Sequence, residues 1–355
     1  MARKPGTWRG IRWLTAATLV ATSGLLAQTQ TTQRYLITDL GTLGGASSEA
    51  TGVNSLGDVV GFSTTAAGAP HAFLYRTGRM LDLGTLPGGS ASHATAISDN
   101  GVVVGYSGIN GYGPQFREFI QGFVWENGEM RALGALYCPC SFNVRYGTSR
   151  AFAVSGVGRI VGDSGTQRAT FTHAFLWQSN AMRDLVAEED GASNSVAYGI
   201  NDLDEVVGEI DGTAFYVGAG ITQDLGVLPG HATSRARAVN ITGQVVGDSI
   251  TAGGIAHAFL WDRRTLRNLG TLPGDVASEA RAINLRGQAI GRSGSTDFST
   301  SHAVVWQGGA AVDLNTLISV TDWVLTSATG INDVGQIVGV GLRGGQVRAF
   351  MLNPQ

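Results

Sequence analysis

One phrase, Ser-x-Ala-x-(Ala/Gly)-(Val/Ile)-(Asn/Ser), occurs seven times in this chain of 355 residues. A sequence that returns to itself at a nearly fixed period must build one local unit repeatedly. The copies occupy 48–54, 92–98, 149–155, 195–201, 234–240, 278–284 and 326–332, and only the last opens on another residue, Thr326. Each is followed by a short turn and an apolar pair ending in glycine, at Gly61, Gly105, Gly162, Gly208, Gly247, Gly291 and Gly339. Successive glycines are 39 to 57 residues apart, the length of a four-stranded unit rather than of a helical pair.

Each unit resolves into four strands. In the first, Ser48, Ala50, Gly52 and Asn54 share one face by the period of two. The second is 58–62, the third 71–75 (His-Ala-Phe-Leu-Tyr), and the fourth 81–86 (Leu-Asp-Leu-Gly-Thr-Leu), with equivalents in the other units. The runs are short, β-branched and aromatic, which favours strands. Between the first two strands, Asn54-Ser-Leu-Gly57 recurs as an Asn/Ser-x-x-Gly turn, the signature of a type I turn closed by a left-handed glycine. In the fourth unit Asp204 takes the glycine's place, and Asp tolerates positive φ better than most residues.

The ends of the repeat region complement each other. It opens at 35–43 with a fourth strand lacking three predecessors, and closes at 348–352 with a third strand lacking a successor. Pairing them makes one whole unit and leaves no exposed sheet edge. The expected fold is therefore all-β: a seven-bladed propeller of four-stranded antiparallel blades, the last closed by the N-terminal strand. Small residues in the first strand suit the crowded axis. Charged residues are only 14% and glycines number 52, which suits tight turns and argues against a helical bundle. The net charge of −3 with no basic run gives nucleic acid nothing to bind.

Residues 1–27 read as a secretory signal peptide: Arg3, Lys4, Arg9 and Arg12 precede an apolar stretch that ends near Ala27. Residues 28–34 are a short linker and 35–355 a single propeller domain. No later run is long and apolar enough to span a bilayer. A monomer outside the cytoplasm, released, periplasmic or at the surface, is expected.

The motifs Asp-Leu-Gly-Thr-Leu (39–43, 82–86), Ile-Asn-x-x-Gly-x-Ile-Val-Gly (331–339) and His-Ala-Phe-Leu-Trp (257–261) resemble those of the HAF extracellular repeat family of bacterial proteins. The resemblance spans 35–355 and implies export and a bacterial source. It implies no activity and no catalytic residues.

Most chemically suggestive residues belong to the repeat. Gly162-Asp163-Ser164-Gly165 is similar to a serine protease nucleophile stretch, yet Ser63, Ser107, Ser249 and Ser293 hold the same place, and Thr166 stands where a second glycine would follow. His71, His173, His257 and His302 recur on separate units without ligand spacing, so no metal site is expected. Asp39, Asp82, Asp184, Asp224 and Asp313 are expected to bond the turn backbone rather than act in pairs. No cofactor motif and no catalytic residue emerges. Cys138 and Cys140 are the only cysteines, and an exported chain favours a disulfide between them.

Two departures from the period stand out. Gly105 to Phe123 is 18 residues against the usual 11 to 13, and Leu133 to Ser149 is 16 against 8 to 10. Both insertions leave from one face of the disc, on blades two and three. They carry Tyr112, Phe116, Arg117, Glu118, Tyr137, Phe142, Arg145 and Tyr146, the aromatic and arginine composition of a recognition surface. The expected function is a binding module for an extracellular carbohydrate or protein. A propeller hydrolase or lyase, or a structural protein without a discrete site, are the alternatives.

Overall fold

The computed structural model describes residues 33–109, 119–136, 148–165, 172–186 and 194–355. These form seven four-stranded antiparallel sheets in a ring, a seven-bladed β-propeller. Blade 1 runs from the axis outward through Gly44–Val53, Val59–Thr65, Pro70–Arg76 and Arg79–Asp82. Blades 2 to 6 repeat that order, their inner strands being Gly89–Ile97, Ser149–Val154, Ser195–Ile200, His231–Val239 and Ala277–Ile283. Blade 7 consists of Trp323–Ile331, Ile337–Arg343, Gln346–Pro354 and, as its outer strand, Tyr35–Asp39. Tyr35 lies opposite Pro354 and Asp39 opposite Phe350, so the two ends of the chain close the ring as their complementarity demands.

The core is divided among seven apolar clusters, one in each seam between neighbouring blades. The Val-Val-Gly motif explains why. Val59 faces the seam with blade 7 and Val60 the seam with blade 2, because alternate residues of a strand project to opposite faces. Phe73 fills the first seam and Ala72 and Leu74 the second. A Cβ on Gly61 would lie 2.0 Å from the Glu49 carbonyl oxygen and 2.9 Å from Phe73 Cε1. Glycine is required there because the inner-strand backbone, with the Phe73 ring behind it, leaves no room for a side chain.

A serine rivet fastens six of the seven seams. Ser48 Oγ donates to the Gly41 carbonyl (2.6 Å) and accepts from the Ala349 N–H (3.0 Å), both on blade 7. Ser234 does the same to Gly226 and Ala214 of blade 4. Blade 7 departs from this pattern. Its strand bulges at Thr326, so Leu325 and not Thr326 takes the serine's place, opposite Gly341. Asn315, on the short 3-10 helix Leu314–Leu317, supplies the missing bonds to Leu325 N–H (2.7 Å) and carbonyl (3.0 Å).

The inner turns form as expected, with Gly57 at φ +80° and Asp204 at φ +63°. Two details of the sequence reading are corrected. The fourth strand covers Arg79–Asp82 and not 81–86, because Asp82 accepts a bond from the Gly84 N–H (2.8 Å) and turns the chain. Asp39, Asp184, Asp224 and Asp313 accept equivalent bonds. Second, the inner strand does not keep one face throughout. In blade 1 the register slips between Ala50 and Gly52, with Thr51 the extra residue, and every blade repeats the slip. Ser48 and Ala50 therefore face blade 7, whereas Gly52 and Asn54 face blade 2. A bulge re-aims the side chains that follow it.

Candidate functional site

Each inner strand touches the inner strand of the next blade, all the way round. The x positions of Ser-x-Ala-x therefore gather about the axis. The first set is Glu49, His93, Arg150, Val196, Arg235, Glu279 and Ser327; the second, at the bulge, is Thr51, Thr95, Phe152, Tyr198, Arg237, Arg281 and Thr329. Opposite the first set, on the second strands, stand Phe62, Tyr106, Asp163, Glu209, Asp248, Arg292 and Val340. The repeat leaves these places free in sequence, and the fold brings them together.

They form a belt with two characters. Around blades 1 to 4 it is mostly aromatic. Phe62 tilts against His93 at 4.3 Å between ring centroids, and His93 stacks on Tyr106 at 5.2 Å. Arg150 lies over Phe152, which meets Tyr198 at 5.5 Å. Burial holds the His93 imidazole below its ordinary pKa and keeps it neutral. Arg150 is paired with Asp163 through two nitrogens, and Tyr198 donates to Glu209 Oε1 at 3.1 Å.

Around blades 5 and 6 the belt is ionic. Asp248 is fully buried between Arg235 (3.0 Å) and Arg237. Glu279 accepts from both Arg292 nitrogens, at 3.0 and 2.9 Å, and from Arg281 at 3.3 Å. Burial pushes the Glu279 carboxyl up, but Arg237, Arg292 and Arg281 together hold it below the ordinary range. Burial raises the Glu209 carboxyl, partly offset by Tyr198 and Arg235, and raises Glu49, partly offset by Arg281 across the axis. In blades 7, 1 and 2 the bulged residue is threonine, and each hydroxyl donates to an inner-strand carbonyl of the next blade: Thr329 to Ala50, Thr51 to Ala94, Thr95 to Ala151.

The opposite end of the axis is lined by the inner turns. Asn201 Nδ2 donates to the Asn240 carbonyl (2.9 Å), Asn240 to Asn284 (3.0 Å), Asn284 to Asn332 (3.3 Å) and Asn332 to Asn54 (2.9 Å). A cavity of about 210 Å³ opens here, edged by Asp99, Asp202 and Asp333. Each of these carboxylates already accepts a backbone N–H from the preceding blade, at Ser55, Gly156 and Leu285.

The residues singled out from the sequence divide three ways. Ser164 accepts from the Leu136 N–H and donates to the Thr148 carbonyl, a framework role shared with Ser63, Ser107 and Ser249. The repeated histidines sit on third strands away from the belt: His71 meets Asp82 at 2.9 Å, His173 meets Asp184 at 2.6 Å, His302 meets Asp275 at 3.3 Å and His257 meets His231 at 2.9 Å. Tyr112, Phe116, Arg117, Glu118, Tyr137, Phe142, Arg145, Tyr146 and the cysteines Cys138 and Cys140 lie outside the described residues. The strands bracketing them end at one face of the disc, the face nearer the belt. The belt itself escaped the sequence reading, although a signal existed: Glu, His, Arg and Tyr alternate with a nearly constant Ser and a constant Ala in the most regular strand of the chain.

No family model matches the chain, and no curated protein does. Solved structures do. The extracellular domain assigned to a hybrid two-component system of B. thetaiotaomicron overlays with a TM-score of 0.51 at 11% identity, over 90% of this chain and 40% of that one. A puromycin hydrolase overlays at 0.50 and 14% identity, over 76% of this chain and 45% of that one. The β-propeller domain of the trilobed protease from Pyrococcus furiosus gives 0.40 at 13% identity, covering 60% of this chain and 65% of that domain. This chain thus spans under two thirds of each structure. At such identities the likeness is one of fold.

Proposed function

We propose that this chain is an exported binding module of the HAF repeat type, which holds an extracellular carbohydrate or protein ligand over the axial belt. The observation that carries the reading is the placement of variation. Serine rivets, seam valines, flat glycines and turn asparagines answer to the fold, while Arg, Glu, His, Tyr and Phe occupy the x positions that the fold leaves open. Charged and aromatic side chains converging about one axis are the composition of ligand sites. The expected loops of blades 2 and 3 begin at the same face, so Tyr112, Arg117, Arg145 and Tyr146 are proposed to complete the site from above.

Purified residues 28–355 screened against glycan and extracellular-protein arrays test this. Capture should disappear when Tyr198 and Arg235 are both replaced by Ala, with the far-ultraviolet spectrum unchanged. Replacing the four loop residues by Ala should weaken it separately. Capture that survives both sets overturns the reading.

A further inference from the structure

We propose that Arg281, with Arg237 and Ser327, is the anchoring subsite of this module for a carboxylate carried on a sugar ring, that is, a uronic acid residue. The inference rests on the binding role proposed above and names its ligand class.

The hydrogen bonds of the belt point to it. Asp163 is matched by Arg150, Asp248 by Arg235 and Arg237, and Glu279 by two nitrogens of Arg292. Arg281 is left with one 3.3 Å contact to a carboxylate oxygen that Arg292 already holds more closely. Among the described residues its Nε has no partner. Among the described residues, Ser327 Oγ is the other buried side-chain polar atom in this condition, and Ser327 is 7% exposed. Ser327 belongs to blade 7, next to Arg281 on blade 6, at the axial register that Glu49 occupies on blade 1. Buried side-chain polar atoms nearly always have a partner in a folded protein, so two on adjacent inner strands call for an explanation.

The charge balance supplies its sign. Blades 5 and 6 bring four arginines to the belt (235, 237, 281, 292) and two carboxylates (Asp248, Glu279), an excess of 4 − 2 = 2 positive charges. The acids flanking this stretch are Glu209, which Arg235 approaches at 3.9 Å, and Glu49. Arg281 keeps 32% of its side chain accessible and Arg237 22%, so both side chains reach the surface of the belt, while the Arg281 Nε itself is buried. An anion there satisfies donors that the fold leaves unused. A carboxylate matches the planar fork of a guanidinium.

The rest of the belt favours a sugar as the carrier. Tyr198, beneath Arg237 at 5.9 Å, and Phe152 beyond it offer half-buried ring faces on which the apolar face of a pyranose can stack. A peptide would need backbone partners, but on blades 1, 2 and 3 the carbonyls of Ala50, Ala94 and Ala151 already accept threonine hydroxyls.

Calorimetric titration of residues 28–355 with oligogalacturonate, its carboxyl-reduced neutral counterpart and poly-glutamate, all at one ionic strength, decides the matter. The charged oligosaccharide should bind at least tenfold more tightly than the neutral one. Arg281→Met and Ser327→Ala should each remove most of that preference while the melting temperature holds or rises. Should Arg281→Met fail to fold, Arg281→Lys keeps the charge without the fork and should still lose part of the preference. Equal binding of charged and neutral sugars, or full retention in the Arg281 and Ser327 variants, overturns the inference and leaves the binding role standing. Preference for poly-glutamate overturns the sugar class. Capture of no ligand in the titration or on the arrays counts against both proposals.

Discussion

The two ends of the axis are built by the same inner strands, yet they treat polar groups in opposite ways. At the turn end, Asn332 is typical. Its Nδ2 donates to the next blade and its Oδ1 accepts the Gln336 N–H. The rim carboxylates Asp99, Asp202 and Asp333 are likewise engaged with backbone N–H groups. At the belt end, one turn of sequence away, buried donors on Arg281 and Ser327 remain without partners. Polar side chains at the first end hold blades together. At the second most are paired as well, but Arg281 Nε and Ser327 Oγ are not, and these two stand ready for something outside the fold.

Four changes would break or sharpen this contrast, in descending order of effect. Deleting 28–43 removes the closing strand Tyr35–Asp39, opens an edge on blade 7 and exposes its seam, so both ends should fail together in a sharply lower melting temperature. An unchanged melting curve would mean that the ring does not depend on closure. Asn332→Ala should cost about 1–3 kcal/mol in chemical denaturation, because it removes the inter-blade bond to the Asn54 carbonyl and leaves the half-buried Gln336 N–H without its acceptor, while ligand capture at the far end stays intact. Arg281→Met should have the opposite sign, a gain of about 1 kcal/mol, since it removes a buried charge that is poorly matched while Glu279 stays paired with Arg292 and is not left as an uncompensated buried ion. A loss of that size would make Arg281 part of the framework.

The smallest effect is one of pH. Burial lowers the His93 pKa from its ordinary 6.5. The unfolded chain therefore takes up the proton first, and the stability that neutral His93 contributes above pH 6.5 is lost as pH falls through its lower folded value. His93→Phe should flatten the acid limb of a plot of melting temperature against pH. Parallel limbs for the two proteins would show that this imidazole is not held neutral by the belt.

Much of the architecture was legible because it depends on residues that cannot vary. Gly61 is forced by the Glu49 carbonyl of the neighbouring strand, Gly57 by its positive φ, Ser48 by two backbone groups that it bonds, and closure by fragments that sum to a blade. The bulge at Thr51 was not legible, since no special residue marks it: Thr, Phe, Tyr and Arg all occupy the place. The belt was hidden for the same reason. Reading through a repeat discards whatever differs between copies, and the axial side chains are what differs. Attention to the long insertions of blades 2 and 3 passed over the inner strands.

The closing strand has a consequence for how the molecule comes into being. Tyr35 is joined to Pro354, so the earliest strand to be synthesised pairs with the last. A ribosome that delivers the chain N-terminus first must release nearly all of the propeller before the ring can shut. Loop closure over more than 300 residues is a slow, non-local step. Until it happens, Tyr35–Asp39 is a free strand beside an open sheet edge, available to any other chain in the same state. Crowded expression should therefore yield end-to-end swapped species, and dilution during refolding should suppress them.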